Sequence, residues 1–273
     1  MSNTKDVAVV DAAALAAFAA QFPQEAGFTR LMLPRISFKS QDVTEKKGKT
    51  INIITEAGTF MIERPTDEKD EYGKSIWSKE EIGLDMEAFI VYPRKQLRFY
   101  DEPTETYYST PIYDDSEDII PLFAAGKKIA TGTPAELKKS FEYVNTEGKT
   151  VSKLENNIVL YIVKDEELFQ MSLRGSSMYS YLDFVRKTKP SPLAYSIHFS
   201  SAAQKKGSIE WNQMTFKTVR PVTVEDMNLI QGHIDAIKDA INAEREFYAQ
   251  AAQDATVTAA VVAALPEGKD ENF

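Results

Sequence analysis

Cysteine is absent from the chain, histidine occurs twice, and no apolar run approaches the ~18 residues of a membrane-spanning helix. Each gap removes a class of function. Without cysteine there is no disulfide, no thiolate nucleophile and no Cys-based zinc site, and the composition suits a reducing cytoplasm. His198 and His233 are too few for a multi-His metal centre. No membrane partner is expected. Met1–Val10 lacks the cationic start and Leu-rich stretch of a signal peptide, so a cytoplasmic location is expected.

Catalytic motifs are missing too. Gly126-Lys127-Lys128 lacks the earlier spaced glycine of a phosphate loop, and Gly175-Ser176-Ser177-Met178-Tyr179 breaks the nucleophile-elbow pattern. The acidic run Asp114-Asp115-Ser116-Glu117-Asp118 lacks the glycine and terminal glutamate of a calcium loop. It reads as solvated loop. His198, between Ile197 and Phe199, reads as a satisfied or surface histidine rather than a general base. The sequence therefore predicts a non-enzyme with no cofactor and no metal.

What is present is a 273-residue chain, 43% hydrophobic and 27% charged, able to bury a sizeable core. Its net charge of −9 is unevenly placed. Residues 101–118 hold seven acids and no Lys or Arg. Residues 186–220 hold seven bases and one acid, Glu210. A local basic surface on an acidic protein can still attract a polyanion, because the field at the groove outweighs the total.

Periodicity gives the elements. An Ala-rich helix is expected over 7–20, and extended segments over 31–38, 50–55 and 58–63. Residues 65–87 read as a polar excursion and 89–100 as a strand. Thr133-Pro134-Ala135-Glu136 opens a short helix. Residues 157–163 and 167–173 form a hairpin pattern. A helix capped by Ser176 or Ser177 reaches Lys187, with Met178, Tyr181, Leu182 and Val185 inward. Strands follow over 195–200 and 209–219, joined by a basic, flexible loop at 202–207. From Thr223, which with Asp226 resembles a capping pair, Met227, Ile230, Ile234, Ile237, Ile241 and Tyr248 mark an amphipathic helix. Its apolar stripe packs on the sheet or forms a seam between copies, which admits a homo-oligomer.

The expected fold class is α+β: an antiparallel barrel or curved sheet with flanking helices and a long C-terminal helix. The expected divisions are an N-terminal helix and linker (1–27), a β-rich core (28–222), the C-terminal helix (223–252) and an acidic tail (253–273).

Two surfaces carry the functional expectation. Strand alternation places Tyr92, Arg94, Gln96, Arg98 and Tyr100 on one outward face, with Val91, Leu97 and Phe99 opposite. Aromatic rings stack on splayed bases while cations follow phosphates, which is what a single-stranded nucleic acid needs. The plainer reading is an exposed strand whose Tyr rings cover Arg stems. Arg174, Lys205, Lys206, Trp211 and Lys217 form the second surface, readable otherwise as a solubilising basic face. The chain ends Asp270-Glu271-Asn272-Phe273, an acidic tip with an apolar end suited to capture by a partner protein.

With this tail, the aromatic-basic strands and the missing catalytic set, the chain resembles the single-stranded DNA-binding proteins of tailed phages, the T7-type group. The resemblance implies an oligonucleotide-binding (OB) fold in a bacterial or phage-infected host cell. It implies single-stranded DNA as ligand during replication, recombination or repair. Tyr92, Tyr100 and Trp211 would stack, and Arg94, Arg98, Arg174, Lys205, Lys206 and Lys217 would be cationic contacts. Asp270, Glu271 and Phe273 would recruit replication or recombination proteins. The tail is short and Lys269 dilutes it. The competing readings are a non-enzymatic phage interaction or assembly module, and a metal-dependent nuclease.

Overall fold

The computed structural model describes residues 33–264, apart from 48, 49, 70, 72–74, 115, 116 and 118. The expected N-terminal helix over 7–20 and the tail tip Asp270, Glu271 and Phe273 lie outside the described residues.

The fold is α+β. Eleven strands make one mixed sheet, with two small hairpins beside it. The sheet strands are β1 (Arg35–Phe38), β4 (Phe60–Lys69), β5 (Ser75–Gly83), β6 (Met86–Asp101), β7 (Thr106–Ser109), β8 (Ile120–Ala124), β9 (Lys127–Gly132), β12 (Glu155–Lys164), β13 (Glu167–Leu173), β14 (Tyr195–Lys206) and β15 (Ile209–Pro221). The side hairpins are β2 (Val43–Lys47) with β3 (Thr50–Thr55), and β10 (Glu142–Val144) with β11 (Thr150–Ser152). The helices are α1 (Pro134–Lys139), α2 (Gly175–Lys187) and α3 (Val224–Ala264).

The main path runs β5-β4-β1-β13-β12-β6-β7-β8-β9 and does not close into a barrel. Every pair in it is antiparallel except β1 with β13, so the expected purely antiparallel sheet is corrected to a mixed one. The sixteen-residue β6 is its spine. One edge pairs with β12 over Phe89–Arg98. The other edge is shared: β14 takes Met86–Phe89 and β7 takes Arg98–Asp101.

Strand β12 is a continuous apolar run because both its faces are covered. Ile158, Leu160 and Ile162 join the main core with Phe60, Ile90, Phe169, Met171, Ile197 and Phe199. Tyr161 and Val163 turn the other way and meet Ile237 and Ile241 of α3. The Ile stripe of α3 therefore packs on the sheet, while Met227 is exposed. A third cluster (Leu97, Ile120, Leu122, Leu137, Leu154) fills the far end under β8 and β9.

Several local expectations hold. Thr133 and Glu136 form a reciprocal capping box on α1. The β12–β13 hairpin turns through Asp165 and Glu166, both at positive φ, as a tight two-residue turn requires. Thr223 and Asp226 cap α3 reciprocally, at 2.8 Å for Thr223 N–H to Asp226 Oδ2 and 3.2 Å for the return bond.

Others need correction. Residues 65–87 are no loop excursion, for they hold most of the β4–β5 hairpin. Residues 202–207 are no flexible loop either, because β14 runs to Lys206 and turns tightly into β15. The cap residue of α2 is Arg174, without a side-chain cap bond, and Leu182 faces outward at 43% exposure. Helix α3 continues to Ala264, past the expected end at 252.

Candidate functional site

The parity of β6 decides which of its side chains reach solvent. Tyr161 of β12 stands opposite Tyr92, but the next residue, Ile162, stands opposite Ile90. Val91 is therefore an extra residue, a β-bulge. Directly opposed residues share a face. The expected grouping of Val91 with Leu97 and Phe99 fails: Val91 packs toward α3, and Leu97 and Phe99 belong to the far cluster.

The outward face is corrected as well. Arg94 is 4% exposed and Gln96 8%. The Arg94 guanidinium donates to Asp114 Oδ2 at 2.6 Å, Glu117 Oε1 at 3.0 Å and Tyr92 Oη at 3.0 Å. Arg245 of α3 reaches the same Glu117 oxygen at 2.7 Å. The acids read as solvated loop thus cover Arg94 and neutralise it. Gln96 donates to the Thr110 carbonyl at 2.9 Å and accepts from Asn157 at 3.4 Å, and Asn157 in turn accepts from Ser172 at 2.9 Å. Apart from Arg94 Nε, which is buried without a hydrogen-bond partner, this half of the face is a paired polar network, not a ligand surface.

Beyond Gln96 the face opens. Arg98 and Tyr100 line a cleft of about 520 Å³ with Tyr107, Tyr143, Lys153 and Arg174. The three tyrosines are 39–51% exposed. The Arg98 guanidinium lies over the Tyr107 ring at 4.8 Å, and the Tyr100 and Tyr107 rings are 6.4 Å apart. Lys153 approaches the Phe99 ring at 5.5 Å, the Tyr143 ring at 6.0 Å and Asp101 at 3.9 Å. Three carboxylates, Asp101, Glu102 and Glu155, also line the cleft and match its three cations in number. Its distinguishing property is therefore the group of exposed rings, not a strongly positive field.

Four elements place these rings. Strand β6 supplies Arg98 and Tyr100, and β7 presents Tyr107 opposite Tyr100. The β10–β11 hairpin brings Tyr143 and, just after it, Lys153. The end of β13 delivers Arg174. Helix α3 meets β7 at Ser109, which stands opposite Arg98: Tyr248 Oη lies 3.3 Å from Ser109 Oγ, and its ring stands 4.4 Å from that of Phe123.

Of the nine residues expected to bind, Arg98, Tyr100 and Arg174 come together here. Lys205 and Trp211 line a second cavity of about 670 Å³ on the β14–β15 hairpin, where Lys205 pairs with Glu210. Lys206 and Lys217 are exposed on that hairpin, outside the lining of both cavities. Tyr92 is 38% exposed and tied to Arg94. Sequence reasoning missed Tyr107, Tyr143 and Lys153. Tyr107-Tyr108 sat inside an acid-rich segment read as loop, and its paired tyrosines were the available signal. Tyr143 and Lys153 meet only through the hairpin between them.

His198 lies 3.8 Å from Asp85, and His233 Nε2 is 3.0 Å from the Glu166 carbonyl oxygen. Among the described residues, no group of three or more acids or histidines is placed to hold a metal ion. No helix among them is long and apolar enough to cross a membrane. No protein-family model, no curated protein and no solved structure matches the chain.

Proposed function

We propose that the protein is a non-catalytic single-stranded DNA-binding protein and that the cleft between β6, β7 and the β10–β11 hairpin receives the strand. One observation carries this reading: three exposed tyrosines and three cations line a single open cleft. A base splayed from a single strand offers two π-faces, and stacking on an aromatic ring is worth ~1–3 kcal/mol. Three such rings supply most of the affinity. The balanced charge of the lining adds modest phosphate contacts from Arg98, Lys153 and Arg174. A duplex keeps its bases stacked inside and gains nothing from the rings.

Under this reading the protein coats exposed DNA during replication, recombination or repair. The OB-like barrel of the resembled group is replaced by an open sheet, with the cleft on the C-terminal half of its spine. Asp270, Glu271 and Phe273 serve as the hook for replication or recombination proteins.

The test is a fluorescence-anisotropy titration of labelled oligo-dT and of a duplex at low salt, with and without Mg²⁺. Oligo-dT binds, the duplex binds at least tenfold more weakly, and neither is cut. Tyr100→Ala weakens oligo-dT binding by roughly fivefold or more, the equivalent of one lost stack. An oligo-dT signal that stays flat at low salt would overturn the proposal.

A further inference from the structure

We infer that Trp211 is a second stacking platform on the same track, so that the bound strand runs from the tyrosine cleft past Arg174 to the β14–β15 hairpin. The inference rests on the reading of the cleft given above. Its basis is the way three residues of one turn join the two cavities.

Arg174 lines the tyrosine cleft. The chain then passes through Gly175, at φ +50°, into the first turn of α2. Ser176 is gripped from β15. The Trp211 indole N–H donates to Ser176 Oγ at 3.2 Å, and the Gln213 amide donates to the Ser176 carbonyl at 3.0 Å. Next to it, Ser177 Oγ accepts from the Met214 backbone N–H at 3.1 Å. Arg174 and Ser176 are two residues apart, at most roughly 7 Å between Cα atoms. Trp211 therefore sits beside a cation of the cleft, held at a fixed offset.

The chemistry of Trp211 suits a ligand. Its one polar atom is satisfied by Ser176, so the partly exposed ring presents a plain π-face. It lines the second cavity with Gln204 and Asn212, whose amides match base edges and phosphate oxygens, and with Lys205. The Lys205–Glu210 pair is about two-thirds exposed on both sides, so solvent screens it and a phosphate can displace the carboxylate. The hairpin is anchored at its far side, where the Asn212 N–H donates to the Ser40 carbonyl at 2.7 Å. A ring held through its indole N–H, on a strand whose backbone is anchored, loses little freedom when a base stacks on it.

The chain has two tryptophans, which makes the test selective. Trp77 lies on β5 under the Arg35 guanidinium, 4.2 Å from its ring centre. In a Trp77→Phe protein all indole emission comes from Trp211, and a 20-mer of oligo-dT is expected to quench it with the same midpoint as anisotropy. Trp211→Ala should weaken 20-mer binding by about fivefold or more, while Trp211→Phe, which keeps a ring, stays within about twofold of the parent. Thermal melts of each variant confirm that the protein tested is folded. Binding by anisotropy with unchanged Trp211 emission and an unchanged affinity in both variants would overturn the extended track and leave the cleft standing. No binding by anisotropy at all would overturn the reading of the cleft, and this inference with it.

Discussion

Arg94 and Arg98 stand four residues apart on one strand and meet different fates. Alternation puts both on the same side of β6, and that much was legible. It could not show that Asp114 and Glu117, twenty residues on, fold back over the first and leave the second at the cleft. The difference is measurable. Arg94→Ala removes the buried guanidinium on which Asp114 and Glu117 converge, though Arg245 still holds Glu117, and is expected to lower stability by about 2–4 kcal/mol in urea unfolding, below the full cost of breaking a fully buried pair. It should change oligo-dT affinity by less than about twofold. Arg98→Ala should do the reverse, weakening binding severalfold. The exposed tyrosines teach the same lesson. Tyr100 was found from its neighbours in sequence, whereas Tyr143 belongs to the site only because a hairpin carries it there.

At the scale of elements, local chemistry was the better guide. The capping box on α1, the two-residue turn between β12 and β13 and the Thr223–Asp226 pair at α3 were readable because each lies within a few residues. The β4–β5 hairpin was not. Its outer part is solvated on both faces, so no apolar alternation marks it, and its acids read as loop. The start of α3 has a pH signature. Arg220 beside Asp226, at 2.5 and 3.0 Å, and the Thr223 N–H hold its carboxyl well below the usual carboxylate range. A depressed folded-state pKa stabilises above the unfolded value of ~3.9, and that contribution fades as pH falls further. Asp226→Asn should therefore destabilise the protein at pH 7, and the gap from the parent should narrow below about pH 4 in urea unfolding. Further along, Ile237 is 3% exposed between α3 and the sheet. Ile237→Ala is expected to cost about 2–4 kcal/mol, read as a lower urea midpoint.

At the scale of the whole molecule, the class of fold was legible and the strand order was not. The parallel pairing of β1 with β13 and the antiparallel pairing of β14 with β6 join segments more than a hundred residues apart. No local pattern encodes such pairings. The charge map was legible in outline and misleading in detail, since two acids of the run, Asp114 and Glu117, fold over Arg94 and meet Arg245. Three cations in a lining of balanced charge set a bound on salt sensitivity. For an oligo-dT short enough to fill the cleft alone, the slope of log K against log salt should be no steeper than about −2, at roughly −0.7 for each phosphate met. An affinity series from low to moderate salt checks it, and a much steeper slope would place the strand on a more basic surface than this cleft.

The bulge at Val91 also constrains how the gene can change. Substitutions along β6 are judged one side chain at a time, but the loss of a single codon is judged by where it falls: without Val91, Ile90 still meets Ile162 and Tyr92 still meets Tyr161, whereas loss of Lys95 would turn every residue from Gln96 to Tyr100 onto the opposite face. In that second case Leu97 and Phe99 would leave the far cluster, and Arg98 and Tyr100 would leave the cleft. Length in the regular part of this strand is therefore under tighter selection than the identity of any one residue in it, and a one-residue in-frame deletion should be tolerated at Val91 long before it is tolerated between Tyr92 and Tyr100.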